Sequence, residues 1–256
     1  MAKMRSKEDI EKLRIAGRHL AEVLDILEAM VVPGIPVSEL NRVGEVEIRK
    51  RGDTPALLNY QPYGAFRPFP ASVCVSVNDV AVHGIPTESD YVLKEGDIVG
   101  IDSTLWHENV VADSARTVSV GNVDESAALL IATTKEALDR AIEAARVGNT
   151  TGDIGYAVES VIDGSGFSII EELCGHGVGY AVHEAPQVPN FGHPGTGTPL
   201  STGMVLAIEP MINEGTKYVK FMADGYTVKT KDGKRSAHFE HTVLITEKGP
   251  EIITRS

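Results

Sequence analysis

The chain has 256 residues, is 42% apolar and 23% charged, and carries a formal net charge of −12. That length fits one large domain or two small ones and is enough to bury a real core. The negative balance argues against general nucleic-acid binding, no apolar run approaches the roughly 18 residues of a membrane-spanning helix, and the charged start MAKMRSKEDIEKLR lacks the apolar segment of a signal peptide.

Two cysteines occur, Cys74 and Cys174. Their apolar neighbours favour two buried thiols over a disulfide, and a reducing cytoplasm fits. Ser6 with Asp9 three residues later reads as a helix start. Ile10, Leu13, Ala16, Leu20, Val23, Leu24, Leu27 and Met30 then recur at helical spacing until Pro33-Gly34. A second helix is predicted from Ser38 to about Arg51, ended by Gly52. Residues 53 to 71 are irregular and carry four prolines and four aromatics, Tyr60, Tyr63, Phe66 and Phe69. The aromatics either cover a sheet edge or wall an apolar pocket.

Ser72 to Val77 alternates as a strand, which Val80 to Val82 resumes after an Asn78-Asp79 turn. His83-Gly84-Ile85-Pro86 follows as a loop. Helices are predicted at about Asp124 to Val147 and Thr151 to Asp163, then a strand at Phe167 to Ile170. Gly192 to Thr202 is too rich in Gly and Pro for regular structure. Strands are expected at Met204 to Glu209, about Tyr226 to Thr230, His238 to Ile245 and Glu251 to Thr254. Helices, strands, helices, strands joined by short turns favour an α+β fold over a wound parallel sheet. No linker interrupts the chain, so residues 1–256 read as a single domain. The two helices before each set of strands hint at a doubled unit.

Ile98 to Val120 reads as two strands joined by a tight turn at His107-Glu108-Asn109. With the turn centred on His107 and Glu108, Asp102 and Asp113 sit directly opposite each other. Opposed Cβ atoms lie only about 5 Å apart, so either one aspartate is protonated or a cation lies between them. Glu209, in the apolar run MVLAIEPM, and Glu240, in AHFEHTVLI, are also expensive to bury unless paired or bound to a cation. His176 sits between Gly175 and Gly177, which leave room around the imidazole. Two divalent cations would balance the four carboxylates, with Asp113 and Glu240 as plausible bridges. Oxygen ligands with one histidine suit Mn or Fe(II), with Co and Zn also possible.

The chain resembles the methionine aminopeptidases of the short bacterial type, in metallopeptidase family M24. The matching passages are SVNDVAVHGIP, GDIVGIDSTLWHENVVADSARTV, CGHGVGYAVHEAPQV, MVLAIEPM and DGYTVKTKDGKRSAHFEHTVLIT, in that order. The resemblance implies the pita-bread fold, with pseudo-twofold halves around a central antiparallel sheet and a dinuclear metal centre. The family's five metal ligands fall on Asp102, Asp113, His176, Glu209 and Glu240. His83 corresponds to the histidine near the scissile amide, and His183 to the one that hydrogen-bonds the scissile carbonyl. Glu209 would also shuttle a proton.

The implied reaction releases an N-terminal methionine, preferably before a small second residue and after deformylation. By resemblance, Tyr63, Phe66, Phe69, Cys74, Val182 and Tyr226 line the methionine cup. Val182, Tyr226 and Val111 depart from the aromatic, tryptophan and histidine that are frequent at those positions. His19, His107, His193, His238 and His241 read as structural or surface residues, although His238 shares the parity of Glu240 and could act behind the ligands.

The basic stretch from Lys217 to Arg235 is either a solvated hairpin or a contact with ribosomal RNA where nascent chains emerge. No membrane and no specific DNA partner is expected. The rivals are a proline-directed aminopeptidase on the same fold, a non-catalytic relative acting as a binding module, and a structural calcium protein. The last two fit poorly with a complete ligand set that includes His176.

Overall fold

The computed structural model describes residues 2–4 and 6–255. Helix α1 spans Lys7–Ala29, and the Ser6 hydroxyl caps it by accepting the Asp9 N–H at 3.0 Å. Its apolar stripe buries Leu13, Leu20, Leu24 and Leu27 completely or nearly so. Helix α2 spans Val37–Lys50. Short strands β1 (Thr54–Pro55), β2 (Val73–Val77) and β3 (Val80–Val82) lead to the hairpin of β4 (Ile98–His107) and β5 (Val110–Ser119). Helices α3 (Glu125–Ala144) and α4 (Thr151–Ile162) follow; Asp124 caps α3, and Thr150 with Asp153 forms a capping box on α4.

The remaining strands are β6 (Ser168–Ile169), β7 (Gly175–Gly177), β8 (Glu184–Val188), β9 (Val205–Ile208), β10 (Met211–Asn213), β11 (Val219–Phe221), β12 (Val228–Thr230), β13 (Ser236–His238), β14 (Glu240–Thr246) and β15 (Gly249–Ile252). Among the described residues, nine strands form the main sheet, in the order β1-β4-β5-β14-β9-β7-β8, with β2 on β4 and β15 on β14. The ladders within this sheet are antiparallel. Two three-stranded sheets, β13-β10-β6 and β11-β12-β3, flank it.

The α+β architecture and the doubled unit are both present. One core joins α1 and α2 to the β2, β4 and β5 region, with Leu20, Leu40, Val75, Ile101 and Leu105. A second joins α3 and α4 to β9 and β14, with Leu130, Ile154, Leu206 and Val243. No described helix is long and apolar enough to cross a membrane. Both cysteines are free, Cys74 buried and Cys174 half-buried.

Three local expectations are corrected. The β4–β5 loop is Glu108-Asn109, with Glu108 in the left-handed region at φ 50°, and His107 pairs with Val110. Asp102 therefore faces Ala115, and Asp113 faces Thr104, instead of each other. Moving the loop by one residue shifts the pairing by two, so both aspartates keep the same face but become diagonal neighbours. Val80–Val82 does not extend β2; it pairs with β12 in a separate sheet. The strand predicted from His238 to Ile245 breaks at Phe239, so β13 pairs with β10 while β14 joins the main sheet.

Candidate metal centre

The ladder registers bring the sequence-selected acids into one row. Asp102 on β4 faces Ala115 on β5, and Ala115 in turn faces Glu240 on β14. Glu209 comes one residue after Ile208, which pairs with His241, and so continues the row beyond Glu240. Asp113 lies two residues from Ala115 on the same face. His176 on β7 faces Ala207, two residues from Glu209. Alternation along β4 and β5 sends Val99, Ile101, Leu105 and Ala112 toward the helices and leaves the acids on the opposite face. Ala115 keeps the space between Asp102 and Glu240 open.

These side chains line a small cavity of about 100 Å³. Ligand atoms of Asp113, His176 and Glu240 all lie within 4.8 Å of one another. His176 Nε2 is 3.3 Å from Glu209 Oε1, and His238 Nε2 is 3.5 Å from Glu209 Oε2. Thr104 Oγ1 donates to Asp113 Oδ1 at 2.6 Å, and the Asp113 N–H donates to Thr242 Oγ1 at 2.9 Å.

The acids cannot all be ionised here without added positive charge. Burial, followed by the charges of Asp113 and Glu209, holds Asp102 well above its ordinary range. Burial is also the largest cause for Glu240, ahead of Asp113, Glu209 and Asp102. Asp113 is pushed up to about 7 and Glu209 to about 8, in both cases chiefly by burial. Glu240 Oε1 and His238 Nε2 are buried with no hydrogen-bond partner among the described residues. Repelling carboxylates and an orphaned carboxylate oxygen are what a cation-binding set looks like without its cations. The donor set therefore fits divalent ions.

The histidines are prepared for separate tasks. His176 Nδ1 is 2.9 Å from the Gly177 carbonyl, which accepts its N–H and leaves the Nε2 lone pair facing the acids. Burial lowers His176 to about 3, so the ring is neutral and able to ligate. His183 Nδ1 lies 2.7 Å from the Tyr60 hydroxyl. With that hydroxyl donating, the imidazole proton rests on Nε2. The His183 ring stands edge-on to His176, with centroids 4.4 Å apart. His83 lines the cavity with φ 58°, an uncommon conformation for a non-glycine residue and one found at functional sites. Burial lowers it to about 4.

The apolar side of the cavity corrects the predicted cup. Phe69, Cys74, Val182 and Tyr226 line it as expected, joined by Leu57, Tyr60 and Pro62. Tyr63 and Phe66 do not; Tyr63 is fully exposed and Phe66 is 69% exposed. The Asn59 N–H donates to the Phe69 carbonyl and the Phe69 N–H to the Tyr60 carbonyl, which closes the loop at its base. Tyr63 and Phe66 then project at the tip, outside the cavity. Val111 is wholly buried and lies outside the cavity lining. Thr104 and Thr242 are functional neighbours that sequence reasoning did not select, while Tyr60, one of the four aromatics named as a possible pocket wall, does line the cavity. Thr104 had a usable signal, since it shares the parity of Asp102 on β4.

Residues 11–247 match the profile of metallopeptidase family M24. The methionine aminopeptidase of Clostridium perfringens is 46% identical over 251 residues, covering 98% of this chain and 98% of its own. A methionine aminopeptidase structure from Thermotoga maritima superposes with a TM-score of 0.94 at 39% identity and covers 100% of each chain. Prolidase from Pyrococcus furiosus, at 24% identity and a TM-score of 0.77, covers 100% of this chain and 66% of that one, a likeness of fold alone.

Proposed function

The chain belongs to metallopeptidase family M24, and from that premise we propose that it is a metal-dependent methionyl aminopeptidase of pita-bread fold. It removes the N-terminal methionine from nascent proteins and peptides. The observation that carries this reading is the row of Asp102, Ala115, Glu240 and Glu209, with Asp113 and His176 beside it, at the base of a small apolar cup. Identity of 46% to a methionine aminopeptidase, against 24% to a prolidase, favours methionine over proline-directed cleavage.

Asp102, Asp113, His176, Glu209 and Glu240 would hold the ions. We put their number at two, because four carboxylates balance two divalent charges, and their identity among Fe(II), Mn, Co and Zn. When bound, such ions supply Lewis-acid polarisation of the scissile carbonyl and a more acidic water. The chain does the rest. Glu209, beside its ligand role, would take up a proton and carry it toward the leaving amine. His183 presents Nε2–H to the developing oxyanion, and the Tyr60 hydroxyl fixes that tautomer. His83 orients the scissile amide.

The cup is much smaller than a drug-sized pocket and has room for a single side chain. An N-formyl group blocks the free amine, so deformylation comes first. His183, edge-on to His176 and tilted against Tyr60, narrows the mouth and favours a small second residue.

The test is incubation with Met-Ala-Ser and with an Ala-Pro peptide in the presence of Mn, Fe(II) or Co. Release of methionine only from the first, and its loss in Glu240→Ala, is expected. No methionine release with any of these ions sinks the reading.

We also propose action on nascent chains in the cytoplasm, with ribosomal contact through the basic stretch. Lys217, Lys229 and Arg235 are engaged locally by Glu171, Asp79 and by Asp124 with Glu214. Lys220, Lys231 and Lys234 are the exposed cations left for a phosphate backbone. Charge reversal at these three lysines should weaken co-sedimentation with ribosomes; unchanged co-sedimentation overturns the contact.

A further inference from the structure

A second convergence of ligating groups lies away from the cup. His19 on α1, Asp53 after α2, and His107 at the end of β4 meet on one carboxylate. His19 Nδ1 is 2.7 Å from Asp53 Oδ2, and His107 Nδ1 is 2.7 Å from Asp53 Oδ1. The Asp53 side chain is wholly buried, and the two imidazoles are about one-fifth exposed. Among the described residues, no lysine or arginine forms an ion pair with Asp53.

We propose that His19, Asp53 and His107 form a structural site for a divalent transition ion of the zinc type, separate from the acidic row. Three observations carry it. A ligand atom from each residue lies within 4.8 Å of the others, so that small side-chain shifts bring all three onto one ion. The rings are nearly perpendicular, at 89°, with centroids 5.6 Å apart. Two imidazoles on one tetrahedral ion, with metal–nitrogen bonds of about 2.0–2.1 Å, place their centroids about 5 Å apart. The site is also preorganised, because Thr54 pairs with Trp106, and the same register sets Asp53 beside His107.

Two imidazoles and one carboxylate select Zn²⁺, Ni²⁺ or Cu²⁺ over Mg²⁺ or Ca²⁺, and leave a fourth position for water. Both histidines would ligate through Nδ1, so each neutral ring would carry its proton on Nε2 instead of donating it to Asp53. The bound ion joins α1, the end of α2 and the tip of the β4–β5 hairpin. Glu108 in that tip already contacts Lys12 of α1 at 2.8 Å.

The probe is zinc alone. Crystals of the full chain grown with zinc should show an anomalous peak at the zinc edge about 2.0–2.2 Å from both Nδ1 atoms and an Asp53 oxygen. In equilibrium dialysis at low micromolar zinc, His19→Gln/His107→Gln should bind one ion fewer per chain than the parent. Its methionine release with Mn should be unchanged. Zinc in the acidic row but none at His19 overturns the proposal. So does a crystal peak without a difference in dialysis, which marks binding at crystal concentration only. In that case the trio is a hydrogen-bonded staple. If the double variant does not fold, the crystal and the single variant His19→Gln decide.

Discussion

The Tyr60 hydroxyl reaches Nδ1 of His183 at 2.7 Å, linking the irregular proline-rich loop to the glycine-rich segment that also carries His176. With the hydroxyl donating, Nδ1 is the acceptor and Nε2 carries the proton toward the cavity. Tyr60→Phe keeps the ring beside His183 and removes only this hydroxyl. We expect kcat on Met-Ala-Ser to fall about tenfold, the rate equivalent of one hydrogen bond of about 1.4 kcal/mol, with KM nearly constant. A kcat equal to that of the parent would show that the tautomer is set by another group.

Glu240→Gln separates stability from function. It removes one member of a repelling set whose Oε1 has no hydrogen-bond partner. In EDTA the variant should melt higher than the parent, by roughly 2–4 °C for each kcal/mol of repulsion relieved. With Mn the order should reverse, and bound metal measured by elemental analysis should drop. Lower melting both with and without metal would contradict the electrostatic account.

The metal-free chain should lose stability as pH rises through neutrality. Asp113 and Glu209 ionise at about 7 and about 8 when folded, and near their ordinary values of 3.8 and 4.5 when unfolded. Raised carboxyl values mean that the folded state binds more protons, so stability is full at low pH and is lost as pH climbs. The buried histidines His83, His176 and His238 act in the opposite sense, because burial lowers them to about 4, about 3 and about 4 from 6.5. Their effect is complete once the unfolded chain's histidines are neutral. Calorimetry in EDTA above about pH 7.5, a unit past the ordinary histidine value, therefore isolates the carboxylates, with a slope of up to about −1.4 kcal/mol per pH unit per retained proton. Saturating Mn should abolish the decline, since the ions require ionised ligands. A melting temperature that rises over this range without metal contradicts the assignment.

Tyr226 anchors the cup wall. Its hydroxyl donates to the Arg67 carbonyl at 2.5 Å, and its ring meets Phe69 edge-on with centroids 5.0 Å apart. Tyr226→Phe should loosen the loop that carries Tyr60 and Phe69, and so raise KM for Met-Ala-Ser about three- to tenfold with a smaller change in kcat. A larger effect on kcat than on KM would place Tyr226 in the chemistry instead of the cup.

Much of this architecture was legible from local pattern. Helix α1 starts where Ser6 and Asp9 indicate, and the acids that stood out in apolar strands are those the sheet gathers. What local pattern could not supply was register and partner choice. The β4–β5 loop could be centred on two adjacent positions, and only packing against α1 and β14 distinguishes them. Which aromatics face the cup depends on backbone bonds between Asn59, Tyr60 and Phe69 across the base of a loop. Phe239 interrupts an otherwise continuous alternating run, and the break becomes visible only through the different partners of β13 and β14. His19 and His107 read as unremarkable surface histidines because nothing near either one in sequence points to Asp53.

The acidic row has a bearing on when in its life the chain becomes an enzyme. Asp102 and Glu240 are 138 positions apart, and the ladder that joins them runs through the β5–β14 pairing, among the most distant in the chain. Closing such a contact is slow compared with forming either helical layer. A chain still emerging, or one with only its first half folded, presents two aspartates and no cradle. Hydrolytic competence is thus tied to completion of the sheet.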